Sequence, residues 1–296
     1  MTVINTNISA MITANALIKN ERAMSQAMER LSTGQRINSA GDDAAGLAIS
    51  SRMTSQINGL DQAARNANDA ISMLQTADGA LIEVTNMLQR MRELAVQAAS
   101  GTSVAADRTA LDVEFEALKA EIERIADQTQ WNGSLLLNGS IGSSGAVSFQ
   151  IGGNADQTIS FTFSNYQNAD STDVTATPLG AIDTSGNGTD DNVGVNTLDI
   201  TTVANHDEAL DGLTSAINNV NARRASIGAV INRLEYAADN LSNVSQNASA
   251  SRSRILDADY ASETTELART QIIQQAATAM LSQANQQAQS VLALLK

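Results

Sequence analysis

Both ends of this 296-residue chain are amphipathic without being charged. Residues 1–18 contain no Asp, Glu, Lys or Arg, yet Ile4, Ile8, Met11 and Ile18 recur at helical intervals. At the other end Ile273, Ala277, Met280, Ala284, Gln287, Val291 and Leu294 keep a 4-3-4-3-4-3 spacing inside an uncharged run from Thr270 to Leu295. A helix that faces water on one side normally carries charges there. These helices carry amides and hydroxyls instead, the pattern expected when the polar face is also covered by protein. A charge in that place costs several kcal/mol to desolvate, roughly, whereas a neutral amide can pair. Alone, such ends would not stay ordered. If other copies of the chain cover them through heterologous contacts that do not close, the product is a helical filament.

Composition removes most chemistry. The chain has no cysteine and a single histidine, His206, so disulfides, thiolate nucleophiles, Cys-ligated metals and most triads are excluded. A formal charge of −14 disfavours nucleic acid. Apolar residues make up 43% of the chain but aromatics only 3%, so the core must be built from Ala, Leu, Ile, Val and Met, which suits packed helices. No secretory signal is visible in the first 18 residues. The seven glutamines of the uncharged C-terminal run argue against a membrane span. The acidity is uneven: no Lys or Arg lies between Arg124 and Arg223, where eleven Asp and Glu fall.

Between the ends, periodicity predicts three long helices. From Ala44 to about Ser100, Ile57, Leu60, Ala64, Ala67, Ile71, Leu74, Leu81, Val84, Leu88, Met91 and Ala95 step in threes and fours, with a phase slip expected near Asp78-Gly79. If continuous, that stretch would be about 85 Å long. Gly101 is a candidate C-cap. A second helix is expected from about Ala105 to Gln128 on Leu111, Phe115, Leu118, Ile122 and Ile125, and a third from about His206 to Ser253. The fold class read from these patterns is mainly α: an elongated antiparallel helical bundle with a terminal coiled coil and a small β-hairpin and loop insertion.

The insertion, at about 130–205, opens on the turn signals Trp131-Asn132-Gly133 and Asn138-Gly139. Val147 to Ile151 and Thr158 to Phe163 alternate apolar and polar residues across Gly152-Gly153-Asn154, which predicts a hairpin. Asp170 to Asn196, rich in Asp, Thr, Gly and Asn, reads as an exposed loop or a small subdomain. Within it, Asp183 to Asp191 resembles a calcium loop, but its twelfth position is Gly194 where a bidentate Glu is required, so a solvated loop is the better reading. Asp42-Asp43 reads as a helix N-terminal signal, not an acid/base pair. Arg252 and Arg254 are expected to pair with Asp257, Asp259 or a neighbouring subunit. No catalytic residue, metal site or cofactor site is expected.

Long motifs then carry a family resemblance. Leu31-Ser-Thr-Gly-Gln-Arg-Ile-Asn-Ser-Ala-Gly-Asp-Asp-Ala-Ala-Gly-Leu-Ala-Ile-Ser50, Asn68-Asp-Ala-Ile-Ser-Met-Leu-Gln-Thr-Ala-Asp-Gly79, Met91-Arg-Glu-Leu-Ala-Val-Gln97, Ser253-Arg-Ile-Leu-Asp-Ala-Asp-Tyr260 and the ending from Gln283 to Lys296 resemble bacterial flagellin. The resemblance covers about residues 1 to 165 and 206 to 296, with Trp131 standing where the family motif usually reads Phe.

The resemblance implies that 1–43 and 256–296 pair as an inner coiled-coil domain lining a filament channel, inside a helical rod domain of 44–255. It implies a structural, non-enzymatic subunit of the flagellar filament, used for swimming, secreted by export through the hollow flagellum and located in the extracellular filament. The inner-core assembly residues would be Ile4, Ile8, Met11, Ile18, Ile273, Ala277, Met280, Ala284, Val291 and Leu294. Implied partners are other copies of the chain, an export chaperone, hook-associated and cap proteins, and the host Toll-like flagellin receptor, with no nucleic acid and no membrane insertion. Gln89, Arg90, Leu94, Gln97, Leu111 and Glu114 match the receptor-contact positions. The alternatives are a hook-filament junction protein and a helical signalling rod.

Overall fold

The computed structural model describes residues 7–142, 145–166, 195, 198–202 and 206–293, with backbone alone for 287–293. Helices α1 (Ile8–Thr33), α2 (Ala44–Ala98) and α3 (Ala105–Gln128) are followed by short strands β1 (Gln130–Trp131), β2 (Ser134–Leu135), β3 (Ala146–Gln150) and β4 (Thr158–Thr162). Helices α4 (His206–Leu256) and α5 (Tyr260–Ala293) complete the order. The architecture is the expected mainly-α helical bundle with a small β insertion. The chain forms two compact units, Met1–Asn58 with Ser245–Lys296 and Gly59–Val244, divided inside α2 and α4. The acidic loop from Asp170, including the calcium-like stretch, lies outside the described residues apart from Val195.

In the 59–244 unit, α2 and α4 run antiparallel, as the Asp78–Arg224 ion pair (2.8 Å) and the packing of Leu60 and Ala63 against Leu241 require. The buried row of α2 is Leu60, Ala63, Ala67, Ala70, Leu74, Ala77, Leu81, Val84, Leu88, Met91, Ala95 and Ala98. Its steps alternate three and four without interruption, so the expected phase slip at Asp78-Gly79 does not occur. Ala77 is fully buried and carries the heptad through, while Gly79 sits on the exposed face. Ala64 and the large Ile71 are only half-buried. Alanines alternate with leucines along the seam, and their small side chains let the helices approach closely and still exclude water. From α3, Phe115, Ile122 and Ala126 complete the core with Leu213, Val220, Ile227 and Leu234 of α4. Gly101 is not a left-handed C-cap; the end of α2 is closed by the Ser103 hydroxyl and the Ser100 N–H, both donating to the Gln97 carbonyl at 3.0 and 3.2 Å.

Asn132 and Gly133 both adopt positive φ (47° and 81°), so a mirror-image turn joins β1 to β2 as the Asn-Gly pair demands. The β3–β4 hairpin forms as expected, with Val147 opposite Phe161 and Phe149 opposite Ile159. Ile159, Phe161 and Phe163 face the core, and Asn66 of α2 donates to the Gln150 carbonyl at 3.0 Å to hold the hairpin down.

One buried polar cluster closes this unit. Lys119, 7% exposed, donates to the Leu198 carbonyl and to Glu116 (2.6 Å) and lies over the Phe115 ring. Arg108 donates to the Thr201 carbonyl at 3.1 Å, and the buried His206 ring nitrogen Nε2 sits 3.0 Å from the Ile200 carbonyl. Beside them Asp112 keeps one buried oxygen without a hydrogen-bond donor. Burial, followed by the Asp199 and Glu116 charges, raises its carboxyl above the usual value. Asp199 is held below its usual value, first by the Thr201 backbone N–H at 2.7 Å and then by the Thr201 hydroxyl. The signs are opposite: Asp112 costs stability above its raised pKa, and Asp199 adds stability that is lost as pH falls through its lowered one. Asp112→Asn therefore raises the thermal midpoint at pH 7 and leaves it unchanged in acid, where this carboxyl is protonated in the folded and unfolded chain alike. Asp199→Ala lowers it at pH 7, an effect that fades as pH falls through the lowered value of Asp199, and calorimetry across that pH range checks both.

Candidate assembly site

The terminal helices α1 and α5 pack against each other. They run antiparallel, with Asn7 Nδ2 donating to the Ala284 carbonyl (3.0 Å), Asn20 Nδ2 to the Thr270 carbonyl (2.8 Å), and Arg30 paired with Glu263 (3.0 Å). Asn7 also caps α1, its Oδ1 accepting from the Ala10 N–H at 3.1 Å. Along α1 the covered face is Ala10, Ala14, Leu17, Asn20, Met24, Ala27 and Leu31; along α5 it is Glu263, Leu267, Thr270, Gln274, Ala277, Leu281 and Ala284. The second list steps 4-3-4-3-4-3, a coiled-coil seam made largely of small and neutral polar side chains.

The sequence-derived assembly residues divide between two rows. Ala277 and Ala284 lie in the seam, whereas Ile8 (57% exposed), Met11 (58%), Ile18 (47%), Ile273 (40%) and Met280 (58%) point away from it. Ile4 and Leu294 lie outside the described residues, and Val291 is described only in its backbone. Ile12 and Ile272, at 64% and 67% exposure, join the outward rows although neither falls on the heptad spacing of the sequence. Large aliphatic side chains left in water beside a seam that already holds Leu17, Met24, Leu31, Leu267 and Leu281 mark a surface that awaits further protein.

A clasp fixes one end of the pair. Gly34 takes φ 70° to end α1. Its carbonyl then accepts from the Ala258 N–H (2.9 Å) while Arg36 N–H donates to the Leu256 carbonyl (2.7 Å), making a one-rung bridge between Gln35 and Asp257. Arg36 Nη2 adds a bond to the Ile255 carbonyl at 2.8 Å. Asp42 Oδ2 accepts from the Asn38 and Ser39 N–H groups and Oδ1 from Gln26, and the Ser39 N–H in particular lowers its carboxyl below the usual range. Asp43 caps α2 by accepting from the Gly46 N–H at 2.9 Å. The two aspartates are thus turn and cap, as their spacing predicted. Within the chain Arg252 donates to Thr54 Oγ1 (3.3 Å) and Arg254 to the Ala250 carbonyl (3.2 Å), so neither pairs with Asp257 or Asp259. Asp257 and Asp259 are occupied instead by the Ser253 hydroxyl and the Ala261 N–H.

On the 59–244 unit, Gln89, Arg90, Gln97 and Glu114 are exposed, Leu111 is half-buried and Leu94 points into the core at 1% exposure. Arg90 bridges Glu114 of α3 (2.9 Å) and Glu93 of its own helix (3.0 Å). Among the described residues no cluster of three His, Cys, Asp or Glu could hold a metal, and no helix is long and apolar enough to cross a membrane.

The chain matches the model of the bacterial flagellin N-terminal helical region over residues 4–141 and that of the C-terminal helical region over 210–295. The chain belongs to the bacterial flagellin family. It is 45% identical over 294 residues to a flagellin of Halalkalibacterium halodurans, covering 99% of this chain and 100% of the other. It is 44% identical over 311 residues to a flagellin of Bacillus subtilis, covering 99% of each. A solved chain described as a flagellar hook-associated protein, from Vibrio parahaemolyticus, shares the fold at a TM-score of 0.58 and 16% identity, covering 73% of this chain and 100% of that one. This flagellin is a structural subunit of the flagellar filament, a reading that the family matches favour over a hook-filament junction protein. In it, a Cβ at Gly46 would fall 2.6 Å from Ile37 Cδ1 and 2.5 Å from Asp43 Oδ2. Gly46→Ala must push out the buried Ile37 or break the α2 cap, and is expected to cost about 1–3 kcal/mol in urea unfolding.

Proposed function

We propose that the α1/α5 pair, within residues 1–43 and 256–296, forms the inner coiled-coil domain that lines the filament channel, and that 44–255 forms the rod domain around it. The observation that carries this reading is the outward row of isoleucine and methionine on two helices that lack charge toward their free ends. Such a surface is stable only when other copies cover it, and neutral amides along the same helices can then pair without the penalty of buried charge. Secretion through the flagellar channel, with an export chaperone and with hook-associated and cap proteins as further partners, follows from family membership as part of the same proposal. A chain lacking residues 270–296 is expected to remain helical by circular dichroism yet form no filaments on salting out; filaments of that truncated chain in the electron microscope would refute the role given to α5.

We also propose that the exposed set around Arg90, with Gln89, Gln97, Glu114 and the half-buried Leu111, contacts the host Toll-like flagellin receptor, and that the buried Leu94 acts there by supporting the helix surface. Monomer is expected to activate a receptor reporter cell line and Arg90→Ala to lower the response about tenfold, in keeping with a central interface arginine. Equal responses to the two proteins would contradict the assignment.

A further inference from the structure

In a chain without cysteine, methionine is the only sulfur, and no thiol is present to consume a two-electron oxidant first. Its placement is uneven. Among the described residues Met73 and Met91 are buried in the core of the 59–244 unit and Met87 packs against it, whereas the exposed methionines, Met11, Met28 and Met280, all belong to the terminal helices. Met11 and Met280 extend the outward isoleucine rows. Met11 stands one heptad before Ile18 on α1, Met280 stands one heptad after Ile273 on α5, and each is 58% exposed. Met28 is equally open but has polar surroundings, beside the exposed Ser25, Glu29 and Ser32. An isoleucine would cover an assembly contact as well as a methionine does, but only the thioether can turn polar without a change of sequence.

We propose that Met11 and Met280 form an oxidation gate on assembly, with a peroxide as the oxidant. In the soluble chain the sulfur lone pair attacks one oxygen of hydrogen peroxide and the O–O bond breaks. The transferred oxygen gives up its proton to solvent, and the departing hydroxide takes up a proton and leaves as water. The thioether is thereby oxidised to a sulfoxide and the peroxide is reduced. The polar S–O group must then lose its water wherever another copy covers the row, and the isoleucines of that row have no hydrogen-bond donor to offer it. In the filament the same sulfurs are covered and escape oxidation, so oxidised chains are rejected while assembled ones are spared. The gate rests on the filament role given to the α1/α5 pair.

Hydrogen peroxide is applied to soluble and to polymerised full-length protein, and oxidation of each methionine is read by peptide mass spectrometry. In the soluble chain Met11, Met28 and Met280 should oxidise about tenfold faster or more than Met73 and Met91, and polymerisation should slow Met11 and Met280 by about the same factor. Oxidised soluble protein should keep its helix content by circular dichroism yet give about a tenth of the parental polymer yield, which methionine sulfoxide reductases for the two epimers should restore. Met11→Leu with Met280→Leu, which conserves volume, should polymerise normally after peroxide, whereas Met28→Leu should stay as sensitive as the parent. Parental yield from protein oxidised at Met11 and Met280 would overturn the gate. So would inhibition that persists in the double leucine variant or after both sulfoxides are reduced, and so would loss of helix on oxidation, which makes unfolding the cause. Failure of the untreated parent to polymerise would instead refute the filament role itself, and that control is read separately.

Discussion

A carboxylate or ammonium moved into an interface must find its counter-charge at once or cost several kcal/mol, roughly, whereas a carboxamide can bond to any helix carbonyl it meets. The terminal helices are built on that difference. Asn7 and Asn20 reach carbonyls of α5 across the seam, and the alanines between them bring the backbones close enough for those bonds to form. The same choice leaves Ile8, Met11, Ile12, Ile272 and Met280 facing outward, exposed among the described residues. The seam leucines and Met24 are only half-buried, so this pair buries little apolar area and α1 and α5 gain much of their stability from what packs outside them.

The 59–244 unit obeys a different balance. It has its own continuous core, from Ala67 to Ala98 on α2 and from Ala209 to Leu234 on α4, with Phe115 as its largest fully buried side chain. It needs no second copy to bury that core, and it holds the hairpin and the Lys119 cluster within itself. One chain therefore combines a self-sufficient folding unit with helices whose outer faces are left for assembly, a combination suited to a subunit that must exist both alone and in a polymer.

Much of this was legible in the residues. Helix positions, the hairpin, the Asn132-Gly133 turn and the capping by Asp43 all follow from local rules that the sequence states openly. The α2 seam is harder to read, because Ala63, Ala70 and Ala77 carry it and alanine is a weak hydrophobic signal, while the more apolar Ile71 beside Ala70 suggests a phase that the core does not use. The terminal helices misled in the same way: Ile273 and Met280 were grouped with Ala277 and Ala284, although the large residues face out and the small ones face in. Pairings such as Arg30 with Glu263 or Arg252 with Thr54 join positions some two hundred residues apart, which no local spacing encodes. Leu94 shows the converse limit, since helical spacing placed it beside Arg90 and Gln97 without revealing that the core, not the surface, claims it.

The central claim is that the uncharged terminal helices are completed by other copies of the chain. Amide hydrogen exchange measured on soluble and on polymerised protein tests it directly. The account predicts fast exchange along α1 and α5 in the soluble chain, slowing by about a hundredfold or more on polymerisation while the core of the 59–244 unit changes little. Equal protection of α1 and α5 in the two states would contradict it.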